Sequence, residues 1–255
     1  MNVKGARAIV TGATSGIGLH TVRALLRGGA SWVGMIGRGE EKLAATAQTL
    51  RGEQFEGQIV ELLADVREQE ALSQCFADFV GKAGGLDVAV NNAGVMRDGA
   101  LVSFSFKGVT RYPLADWHAT LDTNLKGVFF CCQLAAEQMF RKRCKGVIVN
   151  ISSVSRQGRS GQVAYSASKG GVASLTLTLA QELAPLGIRC VAIAPGLVET
   201  PMAEKIPEDH RKQMLSRVAV GRMGRPEEIA HGVLFCVEND FFNGRILELD
   251  GGAFG

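Results

Sequence analysis

Short apolar runs alternate with longer amphipathic segments along the whole chain. Positions 6–10 form an apolar run that stops at Thr11-Gly12, and 17–26 then carry apolar residues at helical spacing. The same couplet recurs. A strand is predicted at 31–36 and a helix at 40–50. A strand at 58–63 ends in Ala64-Asp65, and a helix follows at 68–79. A strand at 87–90 closes on Asn91-Asn92-Ala93-Gly94, before a long helical pattern at 117–140. The series continues with a strand at 146–151, a helix at 164–183, a strand at 189–193 ending in Ala194-Pro195-Gly196, a helix at 226–237 and a last strand at 246–249. Apolar strands joined through helices predict a parallel sheet covered on both faces, wound right-handed in both directions. No linker, repeat or low-complexity tract interrupts the series, so 1–255 reads as a single domain. Two stretches without periodicity, 95–114 and 198–225, read as long loops. In such sheets they emerge at the carboxyl ends of the strands, where ligands bind.

The first turn between strand and helix is rich in glycine: Thr11-Gly12-Ala13-Thr14-Ser15-Gly16-Ile17-Gly18. Gly12 permits a tight turn, Gly16 a close approach of a diphosphate, and Gly18 close packing of helix on sheet. The helix N-terminus then offers free N–H groups to an anion. The spacing is G-x-x-x-G-x-G, placed between a predicted strand and a predicted helix, as a Rossmann-type dinucleotide site requires. At the end of the second strand stands Met35-Ile36-Gly37-Arg38-Gly39, with no carboxylate to bond an adenosine ribose. A guanidinium there can pair with a 2′-phosphate, so NADP(H) is preferred, with NAD(H) as the alternative. Asp65, after the third strand, can bond an adenine amino group or cap the next helix.

Ala164-Tyr165-Ser166-Ala167-Ser168-Lys169 holds one of the two tyrosines in the chain. Tyr165 and Lys169 lie one helical turn apart and share a face. An ammonium near a phenol lowers the phenol's pKa, and such a tyrosine can exchange a proton with a carbonyl or alcohol oxygen. Upstream, a strand ends in Ile151-Ser152-Ser153, whose hydroxyls can bond the same oxygen. Asn124 falls inside the long helical pattern, where a carboxamide can hold a water next to the lysine.

Composition sharpens the picture in three respects. Of 255 residues, 46 % are hydrophobic and 6 % aromatic, with 32 glycines, which suits helices packed closely on a sheet. The net charge of +3 fits an anionic cofactor or substrate and is too weak and dispersed to argue for nucleic acid. The six cysteines form no CxxC and no zinc spacing, so no metal site is expected. They read as buried free thiols of a reducing compartment, cytoplasm or mitochondrial matrix. No apolar run reaches the length of a membrane span, and no leader is expected ahead of the first strand.

These motifs, taken in order, resemble the short-chain dehydrogenase/reductase family across essentially the whole chain. The resemblance rests on Thr11-Gly12 with Gly16 and Gly18, on Asn91-Asn92-Ala93-Gly94, on Tyr165-Ser166-Ala167-Ser168-Lys169, and on Pro195-Gly196 with Thr200. It implies an oxidoreductase moving hydride between a nicotinamide and a secondary alcohol or ketone. Asn124, Ser153, Tyr165 and Lys169 would then be the catalytic set. Tyr165 would be the acid/base, Ser153 would position the substrate oxygen, and Lys169 would bind the nicotinamide ribose and lower the tyrosine pKa. Asn124 would hold a relay water. The cofactor would lie along Gly12, Thr14, Ser15, Gly16, Ile17 and Gly18, then Arg38, Asp65 and Val66. Asn92, Ala93 and Gly94 would follow, then Tyr165 and Lys169, and Pro195, Gly196, Val198 and Thr200. Ser153 precedes Tyr165 by twelve residues where the family pattern has thirteen, the spacing of Ser152; the strand register favours Ser153.

Stretches 183–189, 193–197 and 237–244, with the insertion 95–114, are similar to a branch that oxidises 3-hydroxyacyl thioesters or steroids. That branch uses NAD(H), whereas the 3-oxoacyl-thioester reductases suit NADPH. A 3-hydroxyacyl/3-oxoacyl thioester is therefore the expected substrate, with a steroid or sugar ketone, or a non-catalytic scaffold, as alternatives. Phe104 and Phe106 either line an acyl pocket or close a loop over the core, and Lys107 and Arg111 either meet coenzyme A phosphates or are solvated. The family also implies a homotetramer.

Overall fold

The computed structural model describes residues 1–106 and 108–253. In chain order the strands are β1 (Arg7–Thr11), β2 (Trp32–Gly37), β3 (Gln58–Leu63), β4 (Val88–Asn91), β5 (Val102–Ser105), β6 (Gly108–Arg111), β7 (Gly146–Ile151), β8 (Ile188–Pro195) and β9 (Ile246–Leu249). The helices are α1 (Gly16–Arg27), α2 (Glu40–Gly52), α3 (Gln69–Ala83), α4 (Leu114–Leu121), α5 (Gly127–Arg141), α6 (Val163–Leu183), α7 (Glu208–Leu215) and α8 (Pro226–Glu238). Seven strands pair in parallel in the order β3-β2-β1-β4-β7-β8-β9. The order reverses between β1 and β4, and the crevice at that switch point is where doubly wound sheets bind ligands.

Two cores form because successive strand residues face opposite ways. Val10, Val33, Met35, Val149 and Val191 point to the face covered by α1, α2 and α8, where Leu25 and Val233 meet them. Ile9, Ile36, Ala89 and Ile148 point to the other face, against Phe76 and Phe79 of α3 and Met139 of α5. Two buried amides pair across the middle of the sheet. Asn91 and Asn150 are register partners on β4 and β7. Asn91 Nδ2 donates to Asn150 Oδ1 at 2.8 Å, and Asn150 Nδ2 donates to Thr176 Oγ1 of α6 at 3.0 Å, which ties α6 to the sheet.

Three segments depart from the sequence expectations. The stretch 95–114 is not a structureless loop, because β5 and β6 pair antiparallel within it to form a hairpin arm. All eight strand residues of this arm are exposed. It therefore buries no apolar face, and its short alternation at 102–105 stands apart from the buried runs of the sheet. The stretch 198–225 contains a 3₁₀ turn, Ala203–Lys205, and α7. The long helical pattern begins earlier, at Leu114, and is interrupted by one wide π turn, Asp122–Lys126. There the Gly127 N–H reaches back to the Asp122 carbonyl. Such π turns concentrate at functional sites.

The glycine turn packs without room for side chains. Gly12 and Gly16 sit at φ +63° and +51°, where L side chains are strained. A Cβ on Gly18 would lie 2.2 Å from the Gly12 carbonyl oxygen and 2.5 Å from Asn92 Nδ2. Gly18→Ala is therefore expected to destabilise the fold by about 1–3 kcal/mol, as overpacking does. Urea unfolding, compared with an Ala substitution at the open position Gly52, checks this.

Candidate active site

The site assembles where three strand ends meet. At the end of β1, Thr11 Oγ1 accepts the main-chain N–H groups of Asn92 and Ala93, each at 3.0 Å. Asn92 Nδ2 donates back to the carbonyls of Thr11 and Gly12, at 3.0 and 3.1 Å. These four bonds lock the segment after β4 against the glycine turn. Helix α1 opens at Gly16 with Ser15 as N-cap, and no side chain caps its first turn. Its N–H groups are thus presented to the crevice with the helix dipole behind them. Thr14 lies beneath the end of β2, where a Cβ on Gly37 would meet its methyl at 3.1 Å. Ile17 packs against the α1-side core. Thr200 closes on the turn from the far side, its methyl 3.1 Å from where a Gly16 Cβ would sit.

At the tip of β2 Arg38 is largely exposed, and its nearest carboxylate is Asp65 at 3.9 Å. Asp65 is neither a helix cap nor free. Arg67 holds it from its main-chain N–H at 3.0 Å, from Nε at 3.0 Å and from Nη2 at 2.8 Å. The N-cap of α3 is Glu68 instead. The Arg67 guanidinium keeps the Asp65 carboxyl below the usual range, with Arg38 adding to the effect. Val66 is buried, and a Cβ on Gly127 would lie 2.9 Å from its methyl, so the N-terminus of α5 is seated on this loop.

Farther along, Gly196 N donates to Leu249 O at 3.0 Å, which fixes the chain just after Pro195. Val198 bridges Gly224 through the Leu197 carbonyl and the Glu199 N–H, both at 2.9 Å. The main-chain groups of Val198 itself therefore turn to the opposite side. Thr200 Oγ1 donates to Val198 O at 3.3 Å.

The structure brings Ser153, Tyr165 and Lys169 together and separates the roles of the two serines. Ser152 is buried, and its hydroxyl donates to the Lys169 carbonyl at 2.9 Å. It is occupied with holding α6. Ser153 accepts the Ser155 N–H at 3.1 Å, and its hydroxyl lies near enough to the Tyr165 phenol to lower its pKa. Lys169 is buried, and its Nζ donates to Ile151 O at 2.7 Å. Gly94 passes close by: a Cβ there would lie 3.3 Å from Asn124 Oδ1 and 3.7 Å from Lys169 Nζ.

Two of these residues sit in surroundings that spacing alone does not give. The first concerns the tyrosine. Lys169 Nζ stands 5.7 Å from the centroid of the Tyr165 ring, over its face, and its hydrogen bond goes to the strand end. Burial pushes the phenol up to about 12, partly offset by the Ser153 hydroxyl and reinforced by Asp98. Burial also pushes the Lys169 ammonium down to about 8. In this geometry desolvation outweighs the ammonium's pull on the phenol. The second concerns Asn124, which is fully buried in the π turn. Its Nδ2 donates to Val95 O at 2.9 Å and Ser168 Oγ at 3.1 Å, while Oδ1 accepts the Val95 N–H at 2.8 Å. Both donors are used, so one Oδ1 lone pair is left for a water.

The arm does not close its aromatics over the core. Phe104 is 80 % exposed and Phe106 fully so, which makes neither a lid over the core. Arg111 is exposed, and Lys107 lies outside the described residues. Sequence reasoning passed over Arg67, and also Asp98, Gln162 and Ser155, which border the serine-tyrosine pair. Arg67 carried a local signal, two residues past an acidic strand end. The other three are joined only by folding. Among the described residues all six cysteines are free, and five of them are buried. No group of metal-binding side chains occurs there, and no described helix is long and apolar enough to cross a membrane.

Comparison with known proteins agrees with this geometry. The family described as short chain dehydrogenase matches residues 6–211. The chain is 39 % identical over 256 residues to a 3-oxoacyl-[acyl-carrier-protein] reductase of Thermotoga maritima, covering 99 % of each chain. It is 38 % identical to the type-2 3-hydroxyacyl-CoA dehydrogenase of Homo sapiens, covering 98 % of this chain and 95 % of that one. A short-chain type dehydrogenase/reductase from Mycobacterium marinum superposes with a TM-score of 0.90 at 30 % identity, covering 99 % of this chain and 96 % of its own.

The buried ammonium gives a stability prediction with a definite sign. Because the folded pKa of Lys169, about 8, lies below its unfolded value of 10.5, burying the charge costs stability. The cost is on the order of 3 kcal/mol, fully present below pH 8 and relieved as pH rises toward the unfolded value. Lys169→Met is expected to be more stable than the parent near neutrality, with the gap narrowing between pH 8 and 10. Urea denaturation at a series of pH values reads it.

Proposed function

The chain belongs to the short-chain dehydrogenase family, and from that premise we propose that this oxidoreductase interconverts a 3-oxoacyl and a 3-hydroxyacyl thioester with NADP(H). The observation that carries the reading is the convergence of Ser153, Tyr165 and Lys169 at the carboxyl ends of β7 and the start of α6, facing the glycine turn across Gly94. A dinucleotide fits the cradle this chain builds. The two left-handed glycines and the open first turn of α1 suit a diphosphate, held by Gly12, Thr14, Ser15, Gly16, Ile17 and Gly18. Asp65 and Val66 border the adenine side. Asn92, Ala93 and Gly94 line the middle, and Pro195, Gly196, Val198 and Thr200 lie at the nicotinamide end. The bound cofactor supplies or takes the hydride.

The chain's own residues handle the proton and the oxygen. Tyr165 remains protonated through the neutral range, so it is a ready donor to a carbonyl oxygen. Ser153 hydrogen-bonds that same oxygen and fixes its distance from the phenol. Lys169 keeps a positive charge below pH 8, close to Gly94 and over the tyrosine ring. Asn124 holds the Val95 main chain in place and so sets the wall opposite Lys169.

The preference for NADP(H) rests on Arg38, an exposed guanidinium at the tip of β2 with no carboxylate in contact closer than 3.9 Å. The thioester reading rests on the two relatives named above and on the arm, where Leu101, Phe104, Phe106 and Val109 expose apolar surface that an acyl chain would cover. A homotetramer is part of the same proposal. Phe129 and Phe140 of α5, Leu177 of α6 and Phe235 of α8 expose apolar side chains on helix faces that subunit packing would bury.

Spectrophotometric assay of acetoacetyl-CoA with NADPH and NADH tests the whole reading. Turnover is expected with NADPH in excess over NADH, and Arg38→Asp should reverse that order. Tyr165→Phe should lower kcat about 10³-fold, the scale of a lost general acid. Ser153→Ala should lower kcat and cost about 1 kcal/mol of stability through its lost bond from the Ser155 N–H, whereas Ser152→Ala should cost about 1–3 kcal/mol of stability. Turnover of a steroid or sugar ketone but no thioester would overturn the substrate assignment.

A further inference from the structure

A chain of hydrogen bonds leads from the root of the hairpin arm to the serine beside the tyrosine. Gln162 Nε2 donates to the Asp98 carboxylate, at 3.1 Å to Oδ2 and 3.3 Å to Oδ1, and lies 3.4 Å from Met96 Sδ. Gln162 Oε1 accepts the Ser155 hydroxyl at 2.8 Å. Ser155 N then donates to Ser153 Oγ at 3.1 Å. Gln162, Ser155 and Ser153 are all buried, at 7, 7 and 8 % exposure, while Asp98 lies at the surface. The same root is stapled a second time: Gly99 N donates to Gly161 O at 2.7 Å, and Gly99 bridges Gln162 in parallel. Gln162 is also the N-cap residue of α6, its carbonyl accepting the Ser166 N–H at 2.8 Å, three residues ahead of Tyr165.

The direction of each proton follows from chemistry. An ionised carboxylate only accepts, so Asp98 fixes which end of the Gln162 amide faces it. The amide oxygen is thereby turned to Ser155, whose hydroxyl must donate. Ser155 in turn sits where its main-chain N–H fills one lone pair of Ser153 Oγ. The proton of Ser153 is then left to aim at the phenol oxygen, or at a substrate oxygen in its place. If the amide flipped, Nε2 would face the Ser155 hydroxyl and Oε1 would face a carboxylate, which is repulsive. Removing the carboxylate's demand frees the amide to flip; the Ser155 side chain then loses the acceptor that anchors it, and the main-chain N–H that occupies Ser153 Oγ is no longer held in place.

We propose that Gln162, oriented by Asp98, is a positioning residue that aims the Ser153 hydroxyl through Ser155 and couples the seating of the hairpin arm to the serine-tyrosine pair. The inference rests on the reading of Tyr165 as the proton donor, so its test includes a signal that needs no turnover.

The chain has two tyrosines, so Tyr112→Phe leaves Tyr165 alone. Tyr112 bonds the Arg97 carbonyl at 2.7 Å and its ring lies against Gly99 at the root of the arm, so the Tyr112→Phe protein serves as the parent to which every variant below is compared. Tyrosine labelled with ¹³C at Cζ then gives a single resonance that reports the hydrogen bonding of the Tyr165 phenol. Gln162→Glu places a carboxylate against Asp98, and the relay should open. The resonance is expected to move, and kcat for ketone reduction to fall about tenfold, the loss of one oriented hydrogen bond, with KM for cofactor within about twofold. Asp98→Asn added to Gln162→Glu supplies an amide donor to the new carboxylate, and should return both signals toward the parent. Ser155→Ala, which cuts the relay at its middle, should shift the resonance likewise and serves if Gln162→Glu does not fold. A Tyr165 resonance that stays in place in Gln162→Glu and Ser155→Ala overturns the proposal, as does failure of Asp98→Asn to rescue. Absence of ketone turnover in the parent, with the resonance responding as described, would instead overturn the reading of the reaction and leave the relay standing.

Discussion

Lys169 joins the end of β7 to the catalytic helix with both of its ends at once. Its ammonium donates to the Ile151 carbonyl, and its own carbonyl accepts the Ser152 hydroxyl. The pair of bonds fixes α6 in height and rotation against the last residues of the strand. Tyr165, four residues earlier on the same face, is thereby carried to Ser153, the next residue of the strand end. An ammonium out of water is a costly fastener, and its depressed pKa measures that cost. A Leu or Met at this place would pack more cheaply. The fold keeps the charge where a neutral core would serve stability better, and such trade-offs are characteristic of functional sites.

The glycine turn and the serine-tyrosine-lysine cluster are joined by close packing of main chain. Thr11 and Asn92 lock the end of β1 to the residues after β4, and those residues run on through Gly94 to Val95, which Asn124 grips at both N–H and C=O. Asn124 reaches Val95 from a π turn, whose extra residue re-aims one side chain without breaking the helix. Ser168, the last partner of Asn124, is adjacent to Lys169. A displacement at the glycine turn therefore has a short covalent and hydrogen-bonded route to the lysine. Side chains would fill this route: positions 12, 18 and 94 all have main chain or polar atoms within 3.3 Å of where a Cβ would be.

The edge strands β3 and β9, partly exposed and carrying Glu61 and Glu248, were legible in the sequence from their Ile, Val and Leu and their place in the alternation. The central sheet strands were legible because they are buried on both faces and read as largely apolar runs. Their ends were legible for a related reason, since Thr11-Gly12, Asn91-Asn92 and Pro195-Gly196 break those runs abruptly. The arm was not legible as strands. Its residues alternate Val, Ser, Phe, Ser with both faces in solvent, so no buried side marks the period. The π turn was hidden as well, because one extra residue in a helix barely disturbs a hydrophobic period near 3.6. The proximity of Tyr165 and Lys169 followed from spacing alone, but the pKa of the phenol did not. Spacing says that an ammonium is near; it does not say that the ammonium lies over the ring face and bonds elsewhere, or how much water has been removed. The relay partners Asp98 and Gln162 are 64 residues apart, and only the bridge at Gly99 brings them together.

Two carboxylates border the site, and the fold treats them in opposite ways. Asp65, at the adenine side, is held by the guanidinium and main-chain N–H of Arg67, which keep it ionised and largely cancel its charge. That cancellation matters for Arg38. A bare carboxylate nearby would draw Arg38 into a tight ion pair, whereas the observed separation is 3.9 Å and the side chain stays open to solvent. Asp98, at the root of the arm, has among the described residues the neutral amide of Gln162 in hydrogen-bond contact, and burial raises its pKa. Arg159 opposes that rise from a distance, without an ion pair. Its charge is therefore left less compensated, and it reinforces the upward displacement of the Tyr165 pKa. One end of the crevice thus neutralises the acid beside it, and the other leaves its acid less compensated, which adds to the burial that already holds the proton on the phenol. Exchanging the partners, a guanidinium at Asp98 and an amide at Asp65, would reverse the two charge effects, leave the larger effect of burial on the phenol in place, and change neither the strand order nor the glycine turn.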